Sequence, residues 1–238
     1  IGSFVDELCR LDAVSGRFIR LSTLAGEAGH RMEQGHAIKE DQHGHLWIGS
    51  FTNGLFSIDI NGWQVKNIYG PWAKHRKDES SRFLIYNIFI DKRNRVFFST
   101  FSGFRCFDQN HGSFTNTFGK STILTGRTFH SIYFDERRQQ IWGGSEEGLM
   151  TYDLRSRKYK IYTSEQGLPS DVVCAIGGAS SGDIWVSTMG GIAHFLQKSN
   201  RFVCYYYQDG LQGNEFSKNV VCKTRDGYRQ IGRASCRE

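Results

Sequence analysis

The residues best suited to chemistry in this sequence are sparse and lie in polar stretches. The richest is Pro71 to Arg82, PWAKHRKDESSR, the longest of the expected loops. Trp72 offers a ring face suited to stacking on a sugar, while Lys74, Arg76, Lys77 and Arg82 suit acidic groups. Arg127, Glu146, Tyr207 and Asp209 fall in comparable loops and complete the set of candidate ligand contacts. Glu146 and Glu147 form an acidic pair in a short turn. An enzyme built on them would need a histidine meeting a glutamate beside a divalent metal, and no histidine is placed to join them by spacing. His43 and His45 straddle Gly44 with no carboxylate or third ligand evident, so they read as solvated turn residues. Asp41, Asp91 and Asp135 recur ahead of polar turns, where a carboxylate accepts backbone N–H bonds. There is no Gly-rich phosphate loop, nucleophile elbow or HExxH run, so no catalytic residue, metal or cofactor is expected.

These loops must be carried by the repeat that organises the chain. Trp47, Phe97, Trp142 and Trp185 occupy one position in four copies (LWIGS, VFFST, IWGGS, IWVST), 50, 45 and 43 residues apart. An isoleucine precedes each aromatic by nine or ten residues (Ile38, Ile88, Ile132, Ile176). A glycine followed by an apolar residue comes after it (Gly54-Leu55, Gly103-Phe104, Gly148-Leu149, Gly191-Ile192). Within each copy, short runs rich in β-branched and aromatic residues are separated by His-Gly and Asn-Gly turn pairs, and no window sustains helical periodicity. Four strands in about 45 residues predict a β-propeller blade. In that reading the Trp column packs blade against blade. The small residues two and three positions later, such as Gly49-Ser50 and Gly144-Ser145, allow close approach.

The blades are expected at residues 1–30, 35–70, 83–120, 127–163, 170–208 and 214–230, about four complete and two partial. Residues 1–4 match 48–51, so the chain is expected to begin inside a blade. Residues 231–238, IGRASCRE, leave the repeat where an aromatic is due. They can be back-translated into a common sequencing adapter, and are set apart as foreign sequence. The formal net charge of +6 is scattered over strand edges and turns, and no arginine–aromatic module appears, so nucleic acid is not an expected partner. Apart from Cys236 there are five cysteines (Cys9, Cys106, Cys174, Cys204, Cys222). None has metal spacing, and most lie in apolar runs where a thiol acts as a small hydrophobe.

The pattern I-x-x-D-x-x-G-x-x-W-I-G-[ST] fits Ile38, Asp41, Gly44 and Trp47 to Ser50. With Gly54-Leu55 and the two connectors YTSEQGLPSDVV (162–173) and YYQDGLQGNEF (206–216), it resembles the two-component-regulator propeller repeat. The sequence departs from it at Phe97, Ser99 and Ala179. The resemblance implies the periplasmic, extracytoplasmic sensor of a hybrid two-component histidine kinase in the inner membrane, signalling by phosphorelay. Many such sensors regulate polysaccharide use in Bacteroidetes-type bacteria. It further implies an oligosaccharide or other small-molecule signal, a homodimer in the full-length protein, and membrane attachment only through segments outside this sequence. A protein-interaction scaffold is a second class, expected to show an exposed apolar face without a ligand pocket. A metal-dependent propeller lyase is a third.

Overall fold

The strands of this chain run for at most six residues before a turn, and several, such as HLWIGS and VCAIGG, are buried over most of their length. The structure, a computed structural model, describes residues 8–25, 35–70, 83–115, 118, 127–179, 181–218, 221–223 and 229–231. The chain divides after Asn116 into two compact units. The first contains a hairpin of β1 (Cys9–Leu11) and β2 (Phe18–Arg20), a short helix α1 (Leu21–Ala25), and two four-stranded sheets. One sheet is β3 (Gly35–Glu40), β4 (His45–Ser50), β5 (Leu55–Asp59) and β6 (Gln64–Tyr69). The other is β7 (Ile85–Ile90), β8 (Arg95–Thr100), β9 (Gly103–Asp108) and β10 (Ser113–Phe114). The second unit contains β11 (Ser131–Asp135), β12 (Gln140–Ser145), β13 (Gly148–Asp153) and β14 (Tyr159–Tyr162). There follow β15 (Val173–Gly178), β16 (Ile184–Thr188), β17 (Gly191–Leu196) and β18 (Arg201–Tyr205), and a hairpin of β19 (Val221–Lys223) and β20 (Arg229–Ile231).

Every four-stranded sheet is an antiparallel meander in sequence order, so the fold class is the all-β propeller-blade architecture expected from the repeat. Within each unit the first strand of one blade packs on the first two strands of the blade before it, β7 on β3 and β4, and β15 on β11 and β12. The α1 helix is a departure from the all-strand expectation. Its Leu21 is buried, with Leu24 beside it, against Leu8, Ile48, Phe56 and Ile58, and the Leu21 N–H donates to the Leu8 carbonyl at 2.8 Å. Burial of two leucines one turn apart offsets the weak propensity of so short a segment. At the other end, Ile231 pairs with Val221, so strand pairing extends one residue into the segment set apart by its sequence. Residues 232–238 lie outside the described residues.

The aromatic column packs the interfaces between blades. Trp47 is buried with Phe83, Ile85, Ile88 and Phe98 of the next blade, its ring 5.9 Å from that of Phe107. Trp142 is buried with Val173, Ile176, Val186 and Phe195, 5.3 Å from the Phe195 ring. The small column is equally necessary. A Cβ on Gly49 would lie 2.5 Å from Ile85 Cγ2, and one on Gly144 would lie 2.5 Å from Val173 Cγ1, both well inside contact distance. In the Gly-apolar pair the glycine is set by backbone geometry. Gly148 has φ 122°, and a Cβ there would lie 2.5 Å from the Tyr162 carbonyl oxygen.

The recurrent aspartates close the turn between the first two strands, and Asp41 also supports the aromatic column. Asp41 Oδ1 accepts the N–H groups of His43 and His45, both at 2.9 Å, and Asp41 Oδ2 accepts Trp47 Nε1–H at 3.0 Å. His45 Nδ1 is 3.2 Å from Asp41 Oδ2, which supplies the carboxylate partner not evident in the sequence. Phe97 has no N–H to donate. In that blade Arg95 takes over, pairing with Asp91 at 2.7 Å while lying 5.0 Å over the Phe97 ring. Burial opposes charge on Asp41, but the bonds from Trp47, His45 and His43 outweigh it and hold the carboxyl below its usual range. Asp41→Ala strands a buried indole N–H and two turn N–H groups, which predicts a loss of about 1–3 kcal/mol. Urea denaturation should show it, with Asp41→Asn retaining part of the stability because its amide oxygen still accepts.

Candidate functional site

The turn between the second and third strands of each blade is built by a hydroxyl that ends the second strand. Ser145 Oγ donates to the Gly148 carbonyl at 3.0 Å and accepts the Glu147 N–H at 3.1 Å. Thr188 repeats this with the Gly191 carbonyl and the Gly190 N–H, and Thr100 with the Gly103 carbonyl and the Ser102 N–H. The hydroxyl leaves the two turn residues pointing outward on a fixed backbone. In the β12–β13 turn these are Glu146 and Glu147, with side chains 64% and 68% exposed.

Each glutamate meets a cation. Arg127, four residues before β11, places Nη1 2.8 Å from Glu147 Oε2. Lys218 places Nζ 2.8 Å from Glu146 Oε1 and 3.3 Å from His130 Nε2, and His130 Nε2 lies 3.4 Å from Glu146 Oε1. His130 is held by its own N–H, which donates to the Gly144 carbonyl at 2.8 Å, and is only 8% exposed. Lys218 is delivered by Phe216 two residues earlier, which is buried against Cys174 and Ile192. Burial, reinforced by the Lys218 ammonium, holds the His130 pKa below its ordinary value despite the opposing pull of Glu146. Hydrogen bonding and attraction to Lys218 hold the Glu146 carboxyl below its usual range. A lysine ammonium only donates, so the Lys218 contact uses His130 Nε2 as an acceptor when the imidazole is neutral. Beneath the cluster, burial pushes the Cys174 thiol up to about 11, leaving it uncharged.

The structure thus brings Arg127 and Glu146 to a single turn. Tyr207 and Asp209 belong to another element, the connector after β18. There Asp209 Oδ2 accepts the Tyr206 N–H at 2.8 Å, Gly210 is left-handed at φ 97°, and Asn214 Oδ1 accepts the Tyr207 N–H at 2.6 Å. The connector after β14 repeats the arrangement with Gln166, Gly167 and Asp171. Asp209 therefore shapes its connector, while the Tyr207 ring is 67% exposed. Trp72, Lys74, Arg76 and Arg82 lie outside the described residues.

Two members of the cluster, His130 and Lys218, escaped the sequence reading, which found no histidine placed to meet Glu146. The signal for His130 was its register. It lies two residues before the Ile132 of the repeat, the position occupied by Tyr86 and Cys174 in other blades. In the connector register that sets Asn214 on Asp171, Lys218 aligns with Ala175, and nothing marks it as a partner of residues some 72–88 positions away.

Comparison with known proteins follows the fold. No family model matches the sequence, and no curated protein sequence matches it. Solved structures do match. The extracellular domain assigned to a hybrid two-component system of B. thetaiotaomicron is 23% identical with a TM-score of 0.68, over 84% of this chain and 26% of that one. A second such domain from the same organism is 20% identical with a TM-score of 0.63, over 79% of this chain and 24% of that one. Virginiamycin B lyase from Staphylococcus aureus is 13% identical with a TM-score of 0.62, over 88% of this chain and 65% of that one. The chain spans about a quarter of the length of these two extracellular domains. At these identities the likeness establishes the propeller fold.

The cluster makes stability depend on pH with a definite sign. The folded chain holds His130 below the 6.5 of an unperturbed histidine, so the unfolded state binds the proton more readily. The stabilising contribution is full above about pH 6.5 and is lost as pH falls through the folded pKa. Glu146, depressed from 4.5, adds a loss of the same sign at more acid pH. Urea midpoints measured from pH 7.5 to 5 should fall for the wild type and fall less for His130→Gln. Equal slopes would contradict this placement of His130.

Proposed function

We propose that the chain is the ligand-sensing part of an extracytoplasmic sensor in a hybrid two-component regulator, detecting an oligosaccharide and passing the signal to a histidine kinase outside this sequence. The observation that carries the reading is the superposition of its blades on the extracellular domain of such a system, with a TM-score of 0.68 over 84% of the chain. The two connector copies and the W-I-G-[ST] repeat support it independently. Trp72 stacks on a sugar ring, and Lys74, Arg76 and Arg82 meet acidic substituents, with Arg127, Tyr207 and Asp209 as contacts on other loops. Binding shifts a dimeric sensor between two arrangements, since a ligand moves an equilibrium only by favouring one state.

The lyase alternative draws on the likeness to virginiamycin B lyase and on the meeting of His130 with Glu146. Lys218 counts against it, because its ammonium already pairs with both groups a divalent metal would use. The scaffold alternative predicts a protein partner and no glycan binding.

Calorimetry of the full-length sensor against neutral and acidic oligosaccharides distinguishes these readings. One glycan class should bind, and Trp72→Ala and Arg82→Ala should each weaken it by roughly 1–3 kcal/mol, the scale of one lost charge-assisted contact. Absence of binding to every glycan would overturn the sugar-sensor reading. Equal binding by wild type and both variants would move the site away from the Pro71 to Arg82 loop.

A further inference from the structure

We infer that the β12–β13 turn is a carboxylate-binding site whose own glutamates occupy it until a ligand arrives. The inference rests on the sensor reading for its biological role, but its chemistry stands on the cluster itself. Arg127, His130 and Lys218 come from two separate segments and converge on one two-residue turn. In each ion pair the cation is the more deeply seated partner. Arg127 is 32% exposed against 68% for Glu147, and Lys218 is 41% exposed against 64% for Glu146. The carboxylates therefore lie on the solvent side of the charges that hold them, where an incoming carboxylate would arrive.

Displacement is inexpensive on one side and rewarded on the other. An exposed ion pair contributes little to stability, because both charges are well solvated and long side chains lose freedom on pairing. A ligand carboxylate replaces that contact with charge-assisted bonds from the Arg127 fork and the Lys218 ammonium. Glu146 and Glu147 swing outward about rotatable side chains while Ser145 keeps the turn backbone fixed. The His130 ring, with Nε2 toward Glu146 and Lys218, adds a polar wall. The Cys174 thiol beneath, which burial keeps protonated, adds no negative charge. The ligand class is a carboxylate-bearing small molecule, with a uronic-acid oligosaccharide as the member that also satisfies the sensor reading.

The test titrates the full-length protein with digalacturonate, with neutral galactobiose and with glutarate, using calorimetry at low and moderate salt. Digalacturonate should bind, more weakly as salt rises. Lys218→Met and Arg127→Met should each reduce affinity about tenfold, the loss of one charged contact to the carboxylate. Glu146→Gln combined with Glu147→Gln, which keeps shape and removes the competing charge, should increase affinity severalfold. That sign is the discriminating readout, because a merely structural turn would lose affinity or show no change. Should a methionine variant fail to fold, the glutamine pair alone decides. Binding of glutarate without any sugar would sustain the carboxylate site while overturning the oligosaccharide reading. Binding of galactobiose that is insensitive to Lys218→Met and Arg127→Met would sustain a sugar sensor and overturn this site. Weaker binding of digalacturonate by the glutamine pair would also overturn it.

Discussion

Close approach between a blade's first strand and the second strand of the blade before it is the constraint on which the rest of each unit depends. Ile85 Cγ2 and Val173 Cγ1 each sit 2.5 Å from where the Cβ of Gly49 or Gly144 would be, so these two pairs of strands meet at a spacing that a side chain on the glycine would crowd. That spacing lets Trp47 and Trp142 bridge to Phe107 and Phe195. Dense packing of this kind tolerates little change of volume in either direction. The polar parts are fitted around it: in the first unit the Asp41 carboxylate that accepts the Trp47 indole N–H, and in both units the hydroxyl that closes the next turn and the glycine whose left-handed backbone faces a fourth-strand carbonyl.

The blades were legible because these requirements fall at fixed offsets within one repeat. An aromatic residue, a small residue two positions later (glycine in two copies, serine in two) and a Gly-apolar pair beyond recur in register in all four copies. Departures were legible as well, but not their compensation. Phe97 for tryptophan reads only as a departure from the pattern, whereas the structure recruits Arg95 to satisfy Asp91. Ala179 removes the carboxylate from the last complete blade. There Trp185 instead stacks on His194 with centroids 4.1 Å apart. The helix at Leu21–Ala25 was illegible because five residues carry no periodic signal, and it forms through tertiary burial of Leu21.

The candidate site was only half legible for the same physical reason. Glu146, Glu147 and Arg127 announce themselves as charges in expected turns. Their grouping with His130 and Lys218 depends on how a connector re-enters beside an earlier blade, which no local pattern encodes. The hydroxyls of Ser145, Thr100 and Thr188 were read as small residues permitting close approach. Their hydrogen bonds show a second role, as the fixed supports of the turns that carry exposed side chains. A rigid packing core beneath interchangeable turn residues is the usual division of labour in binding scaffolds. Here the same strand end supplies both, with Gly144 packing the next blade and Ser145 holding the turn.

The claim that blade stacking depends on this glycine contact is tested most directly by a double-mutant cycle on Gly144→Ala and Val173→Ala in equilibrium unfolding. Each single change should destabilise, the first by crowding Val173 and the second by leaving a void. In the double variant the new methyl group occupies space the valine vacated. The combined loss should therefore be smaller than the summed single losses by about 1 kcal/mol or more, within the range seen for residues in direct contact. Strict additivity would contradict the account.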